Sequence, residues 1–304
     1  MKALVLYGPN DFRVENDWPT PVVCAGWALV KVAYAGICGS DMPRFFKTGS
    51  YHSPMIIGHE FSGVIETPAP GGKLPKGTPV AILPIIPCGT CEGCVETSEP
   101  FQCKHYQFIG SRNDGGFAQY CLVKESNLFP LDSTDKLKQG AFIELLAVGL
   151  HTVRRSGLTE KSSKTAAVFG AGPIGLAIAF WLDLFGIDVT IVDIREYSLH
   201  IAHAIGLRKA VQFTQTQGMA FDVIFEASGS PFALTRAIET AKSKAVITVV
   251  GRNEGDTIIE NKLFEMLMRK EVTLNGCWGY NLAGDWDVMK RGLAQLNVDM
   301  LISH

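Results

Sequence analysis

What the chain lacks narrows its class before any motif is read. No apolar run approaches the roughly 20 residues that cross a bilayer, so nothing in the 304 residues marks a spanning helix. The opening MKALVLYGPNDF is too short and too soon polar for a secretion leader, and the expected compartment is the cytoplasm. Neither sign of charge dominates: 28 Lys and Arg against 30 Asp and Glu leave a formal net charge of −2. That balance argues against a nucleic-acid footprint or an acidic lipid surface. Internal repeats and low-complexity tracts are absent, which removes solenoids and disordered linkers. A dispersed cysteine framework is missing too. Of eight cysteines, four fall between Cys88 and Cys103, far too local to staple a chain of this size, and clustered thiols in a reducing cell usually mean metal.

What is present supports a large core: 47% hydrophobic and 19% charged residues over a length that suggests about two domains. From Met1 to about Pro130 the chain is strand-rich. Short apolar runs at Ala3–Leu6, Ala28–Val32, Ser62–Glu66, Pro79–Leu83 and Gln119–Val123 are separated by turn signals such as Gly8-Pro9-Asn10 and Asn113 to Gly116. This spacing predicts a β barrel or sandwich.

The stretch Gly36–Gly63 carries the first chemistry. Cys38, His59 and Glu60 offer a thiol, an imidazole and a carboxylate, with Ser40 and Asp41 close behind the thiol. Zinc takes such donors tetrahedrally, and a catalytic site keeps one position open. Strands on either side would place both Cys38 and His59 at strand-to-loop junctions, where rigid elements can aim them. The bland alternative, a buried free cysteine beside an unrelated histidine, is the better reading of any such pair taken alone.

A second signature, Cys88-x2-Cys91-x2-Cys94-x8-Cys103, can close a tetrahedron around one zinc. Four thiolates leave no open position, so this site is expected to be structural. The lobe Pro87–Cys103 has no apolar core of its own and should depend on the metal.

Beyond Leu128 the texture becomes helical. The apolar stretch 140–151 holds a single carboxylate, Glu144, which is costly to bury unless paired or metal-bound. It is a third zinc donor or a near-donor; a hydrogen-bonded core glutamate is the competing reading. An apolar strand then leads into Gly170-Ala-Gly172-Pro-Ile174-Gly175 and an apolar helix. These glycines suit a tight turn, a close approach of pyrophosphate, and helix-to-strand packing. Asp193, ending the next strand 23 residues after Gly170, sits where a carboxylate would accept the ribose hydroxyls, favouring NAD over NADP. Arg195 is the contrary sign. Further strands at Phe221–Glu226, Ala245–Gly251 and Val272–Cys277, with helices at Pro231–Ala241 and Asp285–Leu296, continue a doubly wound pattern. Val250 and Gly251 lie at a strand end where ligands of such sheets bind. The interval Gly206–Phe221 is short for a helix-strand-helix passage.

On these motifs the chain resembles the zinc-containing medium-chain dehydrogenases of the alcohol and polyol dehydrogenase superfamily, over nearly its whole length. Cys38-Gly-Ser-Asp-Met-Pro-Arg44-Phe-Phe-Lys47, Phe108-Ile-Gly-Ser-Arg112-Asn-Asp-Gly-Gly-Phe117 and Phe142-Ile-Glu144 bring it nearest the branch of galactitol-phosphate and sorbitol dehydrogenases. The resemblance implies an α/β chain: a GroES-like catalytic domain over 1–145, with its zinc lobe at 88–103, rejoined by 284–304, and a Rossmann NAD-binding domain over 146–283. It implies two zinc ions. Cys38, His59 and one or both of Glu60 and Glu144 would hold the catalytic one, Ser40 would relay a proton, and Asp41 would orient the histidine. It implies a cleft between the domains, hydride transfer from a secondary hydroxyl of a polyol or polyol phosphate to NAD, and a homo-oligomer. Arg44, Lys47, His52 and Arg112 are candidates for a substrate phosphate. Sorbitol or threonine oxidation, and a non-catalytic dinucleotide sensor, are the alternatives. Three departures stand out: eight residues rather than seven before Cys103, Leu145 in place of a common proline, and an end about 30 residues before the usual domain size.

Overall fold

A computed structural model describes residues 1–253 and 255–301. The chain forms two compact units, Met1–Glu144 and Leu145–His304.

The first unit is built from ten short strands: β1 (Ala3–Gly8), β2 (Asp11–Glu15), β3 (Trp27–Gly36), β4 (Met55–Ile56), β5 (Glu60–Thr67), β6 (Pro79–Ile82), β7 (Ile85–Ile86), β8 (Gln107–Phe108), β9 (Tyr120–Lys124) and β10 (Leu128–Pro130). Its main sheet runs β10-β6-β5-β3-β9, beside a three-stranded sheet β2-β1-β4 and the pair β7-β8. Every pairing among these strands is antiparallel. The alternation of each run turns one side inward, so Val30, Phe61, Ile65, Val80, Ile82 and Val123 share one apolar core. Each such side chain stabilises by about 1.5–3 kcal/mol on burial. All five strands expected from apolar runs form. The two-residue strands β4, β7 and β8 have no pattern that could announce them.

The second unit holds β11 (Thr165–Phe169), β12 (Asp188–Asp193), β13 (Ala210–Gln212), β14 (Phe221–Glu226), β15 (Ala241–Val249) and β16 (Thr273–Gly276). They form one parallel sheet in the order β13-β12-β11-β14-β15-β16, the dinucleotide-binding arrangement in which the order reverses beside the first strand. The helices Pro173–Leu184, Glu196–Ala204, Pro231–Glu239 and Asn261–Arg269 connect them. The short interval before β14 is filled by β13 and one 3₁₀ turn, Phe213–Thr216.

The segment 284–301 falls within the second unit, Leu145–His304. The helix Trp286–Gln295 seats on the buried Trp181, because Gly292 has no side chain to meet its ring. Arg291 pairs with Glu160 at 2.6 Å, and Arg154 with Asp285 at 3.0 Å.

Candidate metal and cofactor sites

The antiparallel register of β3 against β5 sets Gly36 opposite Glu60. Cys38 follows the end of one strand, and His59 and Glu60 open the other, so two segments far apart in sequence deliver their donors together. The ligand atoms of Cys38, His59 and Glu60 all lie within 4.8 Å of one another. A Cβ at Gly36 would stand 2.8 Å from the Glu60 Oε2 and push that carboxylate from its place. The set combines sulfur, nitrogen and oxygen donors, which suits zinc with a place to spare.

Asp41 holds the arrangement from behind. It is wholly buried. Its Oδ2 accepts the Cys38 N–H at 3.1 Å, while the Asp41 N–H donates to the Cys38 carbonyl at 2.9 Å, closing a tight turn on the thiol. Its Oδ1 faces His59 Nδ1 at 3.5 Å, which leaves Nε2 as the ring nitrogen for a metal. The ring of Phe108 fixes the other side of the imidazole, edge-on at 5.5 Å. Burial pulls the His59 pKa down, but Asp41, Cys38 and Glu144 overcome it and hold it well above its ordinary value. Burial pushes the Glu60 carboxyl up. Glu144 is buried as well, and burial raises it to about 7, against the lowering influence of His59. Among the described residues, Glu60 joins the three-donor set and Glu144 stands next to it, outside the 4.8 Å group.

Ser40 is exposed, and its Oγ donates to the Cys38 sulfur at 3.4 Å. Arg44 is turned inward, donating to the Ser40 carbonyl at 3.1 Å and pairing with Asp41 Oδ1 at 3.2 Å. That engagement removes it as a free phosphate cation.

The second cluster is equally specific. Sγ–Sγ distances are 3.9 Å for Cys88–Cys94, 3.6 Å for Cys91–Cys94 and 3.8 Å for Cys91–Cys103. A tetrahedron of 2.3 Å zinc–sulfur bonds has edges of about 3.8 Å, so the four thiols fit one zinc and are far too widely spaced for disulfides. Backbone N–H groups of Cys88, Lys104 and His105 donate to these sulfurs. The Thr90 backbone N–H, then its hydroxyl, draw the Cys88 thiol down to about 5, while burial raises Cys94 to about 12. One sulfur is thereby prepared as a thiolate.

In the second unit, the Gly170–Gly175 turn joins β11 to the helix Pro173–Leu184. A Cβ at Gly175 would fall 1.7 Å from the Gly170 carbonyl, so only glycine lets the helix begin there. Gly172 and Ile174 are partly exposed at that helix start. Asp193 ends β12, with Oδ2 accepting the Ala171 N–H at 2.7 Å and Oδ1 the Arg195 N–H at 2.8 Å. The exposed Arg195 guanidinium leans on the same carboxylate at 3.6 Å. Val250 and Gly251 both donate to the Glu226 carbonyl at 2.9 Å.

Glu226 itself escaped sequence reasoning. It is almost completely buried at the end of β14, where Oε1 accepts the Ser228 N–H, the Ser228 hydroxyl and the Gly229 N–H. One side chain thus shapes the strand-end loop beside the glycine turn. A lone carboxylate closing an apolar strand was the available signal.

The alcohol dehydrogenase GroES-like domain matches residues 24–133, and the zinc-binding dehydrogenase domain matches residues 173–295. Galactitol 1-phosphate 5-dehydrogenase of Escherichia coli is 36% identical over 322 aligned residues, covering 100% of this chain and 92% of the relative. The chain belongs to the zinc-binding alcohol dehydrogenase family. L-idonate 5-dehydrogenase (NAD(P)+) of E. coli is 32% identical, over 85% of this chain and 79% of its own. The crystal structure of galactitol-1-phosphate dehydrogenase from E. coli superimposes with a TM-score of 0.92 at 33% identity, over 100% of this chain and 92% of that one. The protein is a zinc-family dehydrogenase with a GroES-like domain and a Rossmann domain, as its motifs foretold. No described helix is long and apolar enough to cross a membrane.

Proposed function

We propose that the protein oxidises a secondary hydroxyl of an acyclic polyol or polyol phosphate to a ketone, with NAD as hydride acceptor. The observation that carries this reading is the convergence of Cys38, His59 and Glu60 on one point. The two relatives named above act, by their names, on sugar-derived chains at carbon 5, which supports a polyol over a simple alcohol or threonine.

Zinc held by Cys38, His59 and Glu60 would supply Lewis acidity that lowers the pKa of a substrate hydroxyl. NAD held along the Gly170–Gly175 turn, Val250 and Gly251 would take up the hydride. Asp41 keeps the His59 ring oriented. The exposed Ser40 hydroxyl, on the thiol side of the donors, takes the substrate proton and passes it to water. Glu144, raised to about 7 by burial, holds or releases a proton close to neutral pH beside the donors and can stand in for Glu60. Asp193 would accept the adenosine ribose hydroxyls and disfavour a 2′-phosphate, with Arg195 already engaged by that carboxylate.

The proposal includes two zinc ions per chain, the second structural and held by Cys88, Cys91, Cys94 and Cys103. It places the protein in the cytoplasm, where its eight free thiols stay reduced. It also makes the chain a homo-oligomer, with the edge strand β16 and the exposed Leu274 and Trp278 as the surface for a second copy.

Zinc counting joined to an NAD-reduction screen over polyols, polyol phosphates and threonine tests the reading. Cys38→Ser should lower turnover about 100- to 1,000-fold or more, the scale of a lost catalytic electrostatic group, and leave NAD binding in place. Turnover by a zinc-free preparation would defeat it.

A further inference from the structure

Of the four cationic candidates for a substrate phosphate, three are told apart by their contacts. Arg44 is spent on Asp41 and Ser40. His52 Nε2 meets the Arg112 carbonyl at 3.3 Å. Arg112 is different. Its guanidinium carbon lies 4.2 Å from the Tyr106 ring centroid and 4.9 Å from that of Tyr51. Among the described residues, no carboxylate pairs with it.

A guanidinium stacked on aromatic rings is held by its faces, so its fork of N–H donors stays available at the edge. That fork matches the paired oxygens of a phosphate or carboxylate. A partly buried arginine, oriented by two tyrosines and given no internal anion, is built to receive one from outside.

Its loop is anchored on the segment that carries the metal donors. The loop carrying Arg112 starts at Phe108, whose ring abuts His59, and four residues span at most about 14 Å. The same loop is tied down on the His59 segment: Gly115 N–H donates to the Ile56 carbonyl and Gly116 N–H to the Gly58 carbonyl, each at 2.8 Å.

We propose that Arg112, stacked on Tyr51 and Tyr106, is the residue that recognises the anionic end of the substrate. The ligand chemistry is a polyol chain bearing a terminal oxyanion, a phosphate monoester or a carboxylate. This rests on the polyol dehydrogenase reading and adds the group that selects among polyols.

The zinc-loaded protein and its Arg112→Gln and Arg112→Lys variants would be assayed on a polyol 1-phosphate, an aldonate and a neutral polyol. Arg112→Gln should lower the ratio of kcat/KM on the anionic chain to that on the neutral one by about 100-fold, and the arm that collapses tells phosphate from carboxylate. Arg112→Lys, keeping charge without the stacked fork, should recover about a tenth of the wild-type ratio. Equal losses on all arms, or no change in the ratio, would overturn the assignment while leaving the dehydrogenase reading intact. A measurement independent of turnover accompanies it: inorganic phosphate should raise the wild-type Tm over chloride at equal ionic strength, and not that of Arg112→Gln. Absence of that rise in the wild type would also overturn it. Failure to oxidise any polyol would instead sink the reading beneath it.

Discussion

Two clusters of candidate metal donors occupy the same unit and are built on opposite plans. Cys88, Cys91, Cys94 and Cys103 lie on a surface lobe whose side chains are mostly exposed, Val95 among them at 67%. Apart from Phe101, which packs on Tyr106 and Phe108, the lobe offers no large buried apolar side chain among the described residues to hold it. Cys38, His59 and Glu60 sit at the ends of two paired strands over a closed apolar core, with a wholly buried Asp41 fixing the turn and facing the histidine. In the lobe, metal would make the structure; at the strand ends, structure would make the metal site. Donor chemistry follows the same division, because four thiolates complete a tetrahedron and three mixed donors leave one vertex for substrate.

The sharpest way to break this contrast is to remove one sulfur from the lobe. Cys91→Ser should lose one zinc of two and lower Tm by about 5 °C or more, the scale expected when a metal-held segment comes apart. NAD binding should survive, since the second unit has its own core. An unchanged Tm with full metal content would show that the lobe stands without its thiols. A smaller effect belongs to the strand-end site. Asp41→Asn keeps the turn but weakens the grip on the imidazole, and should cost about 10–100-fold in activity and in affinity for the zinc lost first to a chelator. The lobe zinc should be unmoved. Equal weakening of both metals would mean that Asp41 supports the whole unit rather than one site.

The two plans were unequally legible in the sequence. The lobe announces itself by C-x-x-C spacing, since all its donors come from 16 consecutive positions, Cys88 to Cys103. The strand-end site needs long-range pairing, and nothing local says that Gly36 will face Glu60. Its candidate donors can be named from their types and from family likeness, while the grouping of Glu60 with Cys38 and His59 within 4.8 Å depends on the register of β3 and β5. The parallel sheet was readable because buried strands are continuous apolar runs; β4, β7 and β8 exist only through their partners. Arg44 and Arg112 looked alike as cations in loops, and only tertiary contacts tell them apart: one neutralised by Asp41, the other laid on two rings. The helix Trp286–Gln295 was found, but its docking on Trp181 depends on Gly292, a residue without a pattern to read.

The smallest predicted effect sharpens the contrast through pH. Glu144 has its pKa raised by burial to about 7 from an ordinary 4.5, so the folded protein holds that proton where the unfolded chain has released it. Its contribution is therefore fully present below pH 4.5 and lost as pH rises through 7. His59, also raised, acts with the same sign. Stripped of metal, the protein should lose up to about 2.5 kcal/mol between pH 5 and 8 from Glu144, read as a falling Tm that Glu144→Gln flattens. With zinc bound the trend should reverse at this site, because metal requires its ligands deprotonated and competes with their protons. The lobe should behave otherwise, since Thr90 already holds Cys88 near 5 and keeps one thiolate ready across most of that range. Parallel Tm profiles for wild type and Glu144→Gln would show that the buried carboxyl is not what couples the strand-end site to protons.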